Sequence, residues 1–468
     1  MRNCLLIPGL AILLGGCVNL APDYAQPIAP VPATWQGTNG TEGTMAETAD
    51  AIDWRSFFMD ARLREVIALT LANNRDLRVA VLNIEKARAQ YRIQDASRYP
   101  ALGVVAGGSV TRTPADQTGG NAAVIARNQS VQLGFSSYEL DFFGRLKNLS
   151  AAALASYQFN VETQRSVQIS LVAEVAGAWL TLAADNERLQ LAASTLKSQQ
   201  ISYELSQRSH AIGSTSGLDL STAQASVELA QVDLGTFTSQ VQQDINALNL
   251  LAGIAVPAHL LPDRIPDAST LLLAAPAELS SALLLKRPDV LAAEQTLIAA
   301  NADVGAARAA FFPSITLTAQ GGTASSSLSG LFTAGSGAWS FPPSINVPIF
   351  NAGSNRASLD AAKITKDIDI ANYEKTIQVA FREVADALAQ RATLDQRLGA
   401  QQRLVDASAK SYRLSEARYR SGIDSYLNSL VAERSWYGAQ QNLISLRLVE
   451  QNNRINLYKA MGGGWSSS

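Results

Sequence analysis

Three kinds of residue are scarce in this chain, and each scarcity excludes a class of function. Charged residues make up only 17% of the sequence and the formal net charge is −2, so no basic surface for nucleic acid is predicted. The two histidines, His210 and His259, lie far apart, which argues against a histidine-based metal or catalytic cluster. Two cysteines cannot build a disulfide framework. Because no phosphate loop, metal-ligand spacing or G-x-S-x-G setting occurs either, we predict no enzyme, no metal and no cofactor.

Long apolar runs are also missing, except at the N-terminus. Arg2 precedes an apolar segment at 5–14, and Leu-Gly-Gly-Cys at 14–17 resembles a bacterial lipobox. We therefore predict a lipoprotein signal peptide at 1–16 and a lipid on Cys17; the alternative is an ordinary signal peptide with an incidental cysteine. Beyond residue 17 no apolar run approaches the roughly 20 residues of a transmembrane helix. A membrane span of this chain would have to consist of strands.

The rest of the chain divides into a tether and two similar halves. Residues 17–60, rich in Pro, Gly and Thr, predict an extended tether behind the lipid. The halves cover 61–252 and 277–462, separated by a proline-containing linker at 253–276 and followed by a tail at 463–468. Gly213 and Gly422 lie 209 residues apart, as do Gly253 and Gly462. This constant offset indicates a tandem duplication of helix, β-hairpin, long helix and helix.

Each half contains two segments that alternate between apolar and small or polar residues. They lie at about 101–111 and 129–140 in the first half, and at about 314–323 and 338–349 in the second. The alternation predicts hairpins that are apolar outside and polar inside, as in a membrane β-barrel around a wet lumen. A soluble antiparallel sheet shows the same alternation and is the alternative. Pro342 and Pro343 conflict with ladder pairing and mark a bulge or bend in the fourth strand.

The number of predicted strands indicates an assembly of several copies of the chain. Four strands are too few to close a membrane barrel, which needs about eight or more, whereas three copies supply twelve and leave room for a channel. The proline-free segment 354–422 predicts a helix of about 68 residues, roughly 100 Å long. Two shorter helices stacked end to end, at 216–252 and 288–311, match that length. The predicted fold is therefore mainly α with a small β part: a trimeric twelve-stranded transmembrane β-barrel continued by a twelve-helix α-barrel.

Six segments resemble TolC-like outer-membrane factors, specifically the NodT-type lipoprotein branch that serves resistance-nodulation-division efflux systems. They are the LGGC sequence, ELDFFGRLKN at 139–148, KRPDV at 286–290, PIFNAG at 348–353, RYRSGIDSYL at 418–427 and NLYKAMGGGW at 456–465. The resemblance implies a homotrimeric duct, lipid-anchored in the outer membrane of a Gram-negative bacterium and extending into the periplasm. It implies passive conduction of drugs and toxic compounds delivered by an inner-membrane pump through a periplasmic adaptor protein.

Two other functions remain open at this point. The same duct could serve type I protein secretion, which the lipid anchor and KRPDV disfavour. The chain could instead be a periplasmic coiled-coil adaptor lipoprotein, although an adaptor needs no lipid-facing strands. The transported substrate cannot be read from the sequence, because a wide polar lumen discriminates little and selection belongs to the pump.

The resemblance also assigns candidate sites. Gly213 and Gly422 are predicted left-handed helix caps, and the resemblance implies that these turns contact the adaptor. It places the closable periplasmic end just beyond the second turn, where the gate candidates are Arg418, Tyr419, Asp424, Leu427, Asn428, Val431 and Arg434. Relatives often carry acidic residues at the positions of Asn428 and Val431, so a carboxylate ring is in doubt here. Asp424 is expected to pair with Arg418, Arg420 or Arg434.

Overall fold

The computed structural model describes residues 18–35, 53–119, 122–267 and 281–463. The predicted signal peptide, Cys17 and parts of the predicted tether, linker and tail lie outside these residues. The chain forms two compact units. Unit 1 comprises Met1–Ile28, Asn83–Val161 and Ala292–Tyr373, and unit 2 comprises Ala29–Leu82, Glu162–Leu291 and Glu374–Ser468.

Most of the described chain is helical. The α-helices are α1 (Trp54–Phe57), α2 (Ala61–Asn73), α3 (Arg75–Ala96), α4 (Ala115–Thr118), α5 (Arg145–Ala211), α6 (Gly217–Ala252), α7 (Pro288–Ala309), α8 (Ser354–Arg420) and α9 (Tyr426–Ala460). Short 3-10 helices occur at Ala258–Leu260, Ser281–Lys286 and Leu328–Gly330. Helices α5 and α8 each contain 67 residues and occupy equivalent places in the two halves. The predicted mainly α fold with two copies of helix, hairpin, long helix and helix is confirmed.

The strands form one antiparallel sheet. They are β1 (Gly103–Thr113), β2 (Val124–Leu140), β3 (Ser314–Ser325), β4 (Gly337–Ser340) and β5 (Ser344–Asn346). Strand β2 lies between β1 and β3, and both β4 and β5 pair with β3.

Two predicted strand boundaries were wrong. Strand β2 begins at Val124 rather than near 129, so the connection after β1 is short and contains α4. The single strand predicted at 338–349 is instead β4 and β5, which end at Asn346. The break at 341–343 contains Pro342 and Pro343, which have no N–H to donate to the ladder.

The two faces of the sheet differ as the alternation predicted. Val104 pairs with Leu133, Leu133 with Gly321, and Gly321 with Trp339, so one row across all of these strands is largely apolar. The neighbouring row on the opposite face consists of small and polar residues: Gly103, Gly134, Gln320 and Ser340. Trp339 is 82% exposed and Leu133 is 57% exposed. No part of the chain that the structure describes covers the apolar face at these positions.

Unit 2 has an apolar core built from residues far apart in the chain. Trp179 of α5 is fully buried and donates its indole N–H to the carbonyl of Leu260, at 2.9 Å. Phe57 stacks on Tyr458 of α9 with ring centroids 4.0 Å apart.

One helix of the described chain, α5, is long and apolar enough to cross a membrane by composition, contrary to the expectation that only the N-terminus is that apolar. Half of its apolar window is buried inside the chain.

The N-terminal strap, defined as residues 18–35, is extended but fixed. In unit 1, Arg308 and Asn301 donate hydrogen bonds to the carbonyls of Leu20 and Pro22. In unit 2, Trp35 stacks on Phe381 with centroids 5.0 Å apart and donates to the Phe381 carbonyl. The part of the predicted extended tether that the structure describes here is extended, and these contacts hold it against the body. The predicted tether range, 17–60, also contains helix α1, whose Trp54 and Phe57 are buried.

Candidate functional site

The two long helix pairs each close with the same kind of turn. The first turn (residues 212–216) joins α5 to α6, and the second turn (residues 421–425) joins α8 to α9. Gly213 and Gly422 have φ angles of 76° and 73°, the left-handed region predicted for both. The next N–H after each glycine bonds back five residues, from Ser214 to Ser209 and from Ile423 to Arg418. This is the Schellman arrangement, in which glycine ends a helix without steric strain.

The helices that follow the turns are capped differently. In the first turn, Ser216 accepts a hydrogen bond from the Asp219 N–H at 3.1 Å and donates one to the Asp219 carboxylate at 2.7 Å. In the second turn, Ser425 has the same backbone angles but makes no side-chain cap bond. Asn428 occupies the position equivalent to Asp219. The second turn therefore uses its polar side chains for another network.

That network is centred on Asp424. The Arg418 Nε donates to Asp424 Oδ2 at 2.7 Å, and the Asn428 amide donates to Oδ1 at 3.1 Å. The hydrogen bond from Arg418, followed by that from Asn428, holds the pKa of the Asp424 carboxyl below its usual range. Of the three expected partners, Arg418 is therefore the one that pairs. Arg420 instead donates to Glu416, one turn back on α8.

Four gate candidates lie on the exposed stripe of α9: Leu427, Asn428, Val431 and Arg434. Leu427 and Val431 are each 55% exposed, and Asn428 and Arg434 are exposed as well. The opposite stripe, Tyr426, Leu430 and Glu433, is buried. Tyr419 differs from the other candidates because its ring packs 5.5 Å from that of Tyr426. The structure thus brings Arg418, Asp424 and Asn428 together and leaves Leu427 and Val431 facing away from the chain.

The exposed side chains next to the second turn are largely apolar or uncharged. The positions that could carry a carboxylate ring hold an amide and an isopropyl group, and the nearby Asp424 is neutralised by Arg418. Apolar side chains can close a narrow pore by excluding water. Within the described ranges, no group of three or more His, Cys, Asp or Glu side chains is placed to hold a metal ion.

Sequence reasoning missed the buried side of this region. Glu433, Gln199 and Tyr426 are each less than 10% exposed, and none was singled out. The spacing of 426, 430 and 433 is that of one helical stripe. This signal was present in the sequence, but only the packing shows that the stripe carrying Glu433 is the one turned inward.

Comparison with known proteins gives matches over almost the whole chain. The sequence model of the family described as "Outer membrane efflux protein" matches residues 66–254 and 279–463. The chain is 48% identical over 466 residues to the probable efflux pump outer membrane protein TtgC of Pseudomonas putida, covering 99% of this chain and 96% of that protein.

Two solved structures of similar shape are membrane proteins. A crystal structure of a membrane protein from Pseudomonas aeruginosa has a TM-score of 0.89 at 43% identity, covering 96% of this chain and 98% of the other. The open state of the Neisseria gonorrhoeae MtrE outer membrane channel has a TM-score of 0.85 at 38% identity, covering 95% and 98%.

Proposed function

The chain belongs to the outer membrane efflux protein family, and we propose that it is the passive exit duct of a tripartite efflux pump. The duct conducts small molecules, such as drugs and toxic compounds, across the outer membrane of a Gram-negative bacterium. The energy for transport comes from a partner pump, because this chain offers a conduit and a closable end rather than a reaction centre.

The observation that carries this proposal is the open sheet of unit 1. Its apolar face is uncovered, and in the described chain the outermost strands on each side pair on one side only. Unpaired strand edges in lipid cost several kcal/mol per backbone group. Because β4 and β5 pair with successive parts of β3, each copy supplies four strand positions. Three copies would supply twelve and remove every edge. The exposed Ile364 and Ile368 of α8 support the same homotrimer, since they need a neighbouring surface.

The turns supply the surface for the second component. Ile212, Leu218 and Ile423 are 81%, 77% and 66% exposed at or beside the first and second turns. Apolar side chains held out on capped turns favour docking of a protein partner. We assign this surface to a periplasmic adaptor, which connects the duct to a resistance-nodulation-division pump in the inner membrane. The constriction is assigned to the exposed stripe of α9, just beyond the second turn.

Deleting the gene tests the transport function. The deletion strain should become several-fold more sensitive to dyes, solvents or antibiotics, because the pump would have no exit through the outer membrane. Restoring the wild-type gene should restore tolerance, measured as the minimum inhibitory concentration. Unchanged tolerance together with the loss of an exported protein from the medium would instead identify a secretion duct.

The strap supports lipidation of Cys17. The Val18 N–H donates to the carbonyl of Phe142 at 3.0 Å, two residues beyond the end of β2. A lipid on the preceding residue would therefore start where the sheet ends, at the proposed periplasmic leaflet. An acyl chain contributes about 0.8 kcal/mol of membrane affinity per buried CH₂.

Replacing Cys17 by serine should abolish incorporation of radiolabelled palmitate, because the thiol is the attachment point. Cys4→Ser is the matched control and should leave the label unchanged, since Cys4 lies within the signal peptide. Label retained on the Cys17→Ser protein would contradict the lipid assignment and leave the duct proposal intact.

A further inference from the structure

A buried glutamate lies between the two helix pairs of unit 2. Glu433 of α9 is only 7% exposed. Its hydrogen-bonding neighbours are Ser198 and Gln199 of α5, which carry no charge. The charged groups that act on it are Glu416 of α8, which repels it, and Arg434 of its own helix, which attracts it. A carboxylate in such a place is costly, because burial removes water without supplying a full ion pair.

The surroundings of Glu433 are polar as well. We define the distal seam as the buried residues Gln199, Ser206, Ser226, Ser429 and Glu433, each less than 10% exposed. The hydroxyl of Ser206 has no hydrogen-bond partner among the residues that the structure describes. The seam therefore differs in composition from the apolar core around Trp179, and a small apolar cluster of Ala223, Tyr426 and Leu430 adjoins it.

The seam joins the first helix pair, α5 and α6, to the second pair, α8 and α9. The Tyr426 hydroxyl donates to Gln199 Oε1 at 3.4 Å, and the hydroxyls of Ser198 and Tyr412 are 3.5 Å apart. These distances are at the long end of the hydrogen-bond range. The Tyr437 hydroxyl makes a shorter bond to Asp233 of α6, at 3.1 Å. Polar contacts, mostly long, thus connect the two pairs here.

A cavity of about 50 Å³ borders the seam. Its wall includes Gln199, Ser226, Asp233, Glu433 and Tyr437. This space accommodates a few water molecules. The carboxyl group of Glu433 can therefore be neutral while the seam is closed, and can ionise if the seam widens and water enters.

The electrostatics fix the direction of the effect. Burial, followed by repulsion from Glu416, raises the pKa of the Glu433 carboxyl above its ordinary value, although Ser198, Gln199 and Arg434 oppose the rise. Burial and the negative charge of Glu433 also raise the pKa of Tyr426 to about 12. A raised carboxyl pKa means that the packed seam binds the proton more tightly than an opened one. Packing is then complete at low pH and weakens as the pH rises through the raised value.

We propose that Glu433 is a proton-controlled contact that holds α9 against α5 when it is protonated and lets the two helix pairs separate when it is ionised. The opposite face of α9 carries Leu427 and Val431. The consequence for transport rests on the proposed duct function. In such a duct, separation of the two helix pairs moves the constriction, so the periplasmic end opens more readily at higher pH.

Hydrogen exchange of the purified, full-length protein in detergent tests the contact itself. In the wild type, exchange of peptides covering 195–206 and 426–437 should accelerate by more than the intrinsic chemical rate as the pH is raised from 4, below the ordinary pKa of a glutamate, to 8. In Glu433→Gln, which keeps a neutral side chain of the same shape, these peptides should stay protected at pH 8 and exchange at least tenfold more slowly than in wild type. Glu228→Gln, an exposed acid of α6, should behave as wild type.

Equal exchange of wild type and Glu433→Gln at pH 8, or faster exchange of the variant, would overturn the proposal. If Glu433→Gln failed to fold, the wild type alone would still test the proposal. Its two seam peptides should gain more exchange across the pH range than the core peptide 171–184, and equal gains would overturn the proposal. Conductance in planar bilayers tests the consequence for the duct. The conductance should rise with pH in the wild type and stay low in Glu433→Gln. An absence of channels would count against the duct and leave the exchange result standing.

Discussion

Replacing Gly322 by alanine should prevent most of the protein from assembling in the outer membrane, whereas the same change at Gly321 should be tolerated. A Cβ at Gly322 would lie 2.1 Å from the carbonyl oxygen of Val131 and 2.7 Å from the Cα of Gln132. Both atoms belong to the backbone of β2, so no side-chain rotation can relieve the contact. At Gly321 a Cβ would meet no atom within 4 Å.

The expected cost of Gly322→Ala is about 2–3 kcal/mol, the range of an overpacked site that forces the backbone to shift. The yield of heat-resistant trimer in outer-membrane fractions, measured by semi-native gel electrophoresis, should therefore fall by more than about tenfold. Gly321→Ala is the matched control, because it changes the adjacent residue of the same strand on the opposite face. Equal trimer yields from both variants would show that β2 and β3 do not approach as closely as the register requires.

Replacing Arg287 by methionine should destabilise unit 2 by about 2–3 kcal/mol. This is less than the cost of breaking a fully buried ion pair, because the Asp289 and Glu383 side chains are 35% and 40% exposed and keep part of their water. The Arg287 guanidinium bonds to Asp289 at 2.7 Å, to Glu383 of α8 at 2.9 Å and to the Ala460 carbonyl of α9 at 2.6 Å. Its side chain is 7% exposed. Methionine preserves most of the volume but leaves two carboxylates and one carbonyl without their common donor. The start of α7 would then lose its link to α8 and α9.

Thermal unfolding in detergent checks this expectation, with a midpoint about 5–10 °C lower than in the wild type. Arg382→Met is the matched control, because Arg382 is 70% exposed and its contact with Asp386 is long, at 3.9 Å. A surface pair of that kind contributes about 0–1 kcal/mol. Similar midpoints for the two variants would mean that Arg287 is as dispensable as a surface arginine.

The candidate site was predictable in part. The spacing of the glycines indicated both turns, and the left-handed caps at Gly213 and Gly422 followed from local backbone preferences. The partner of Asp424 could not be chosen from the sequence, because Arg418, Arg420 and Arg434 are all near it along the chain. Arg418 pairs because the turn folds it back towards Asp424, whereas Arg420 is engaged by Glu416 on the same helix.

The sequence by itself determined the features that depend on neighbouring residues. Helix and strand type follow from hydrophobic period, the duplication follows from a constant offset, and the apolar face of the hairpins follows from alternation. The tertiary structure decided what depends on segments far apart in the chain: the fixed strap ending in Trp35, the contacts of Arg287 and the burial of Glu433. The physical reason is that a period identifies the stripes of a helix, whereas only packing between distant segments selects which stripe loses its water.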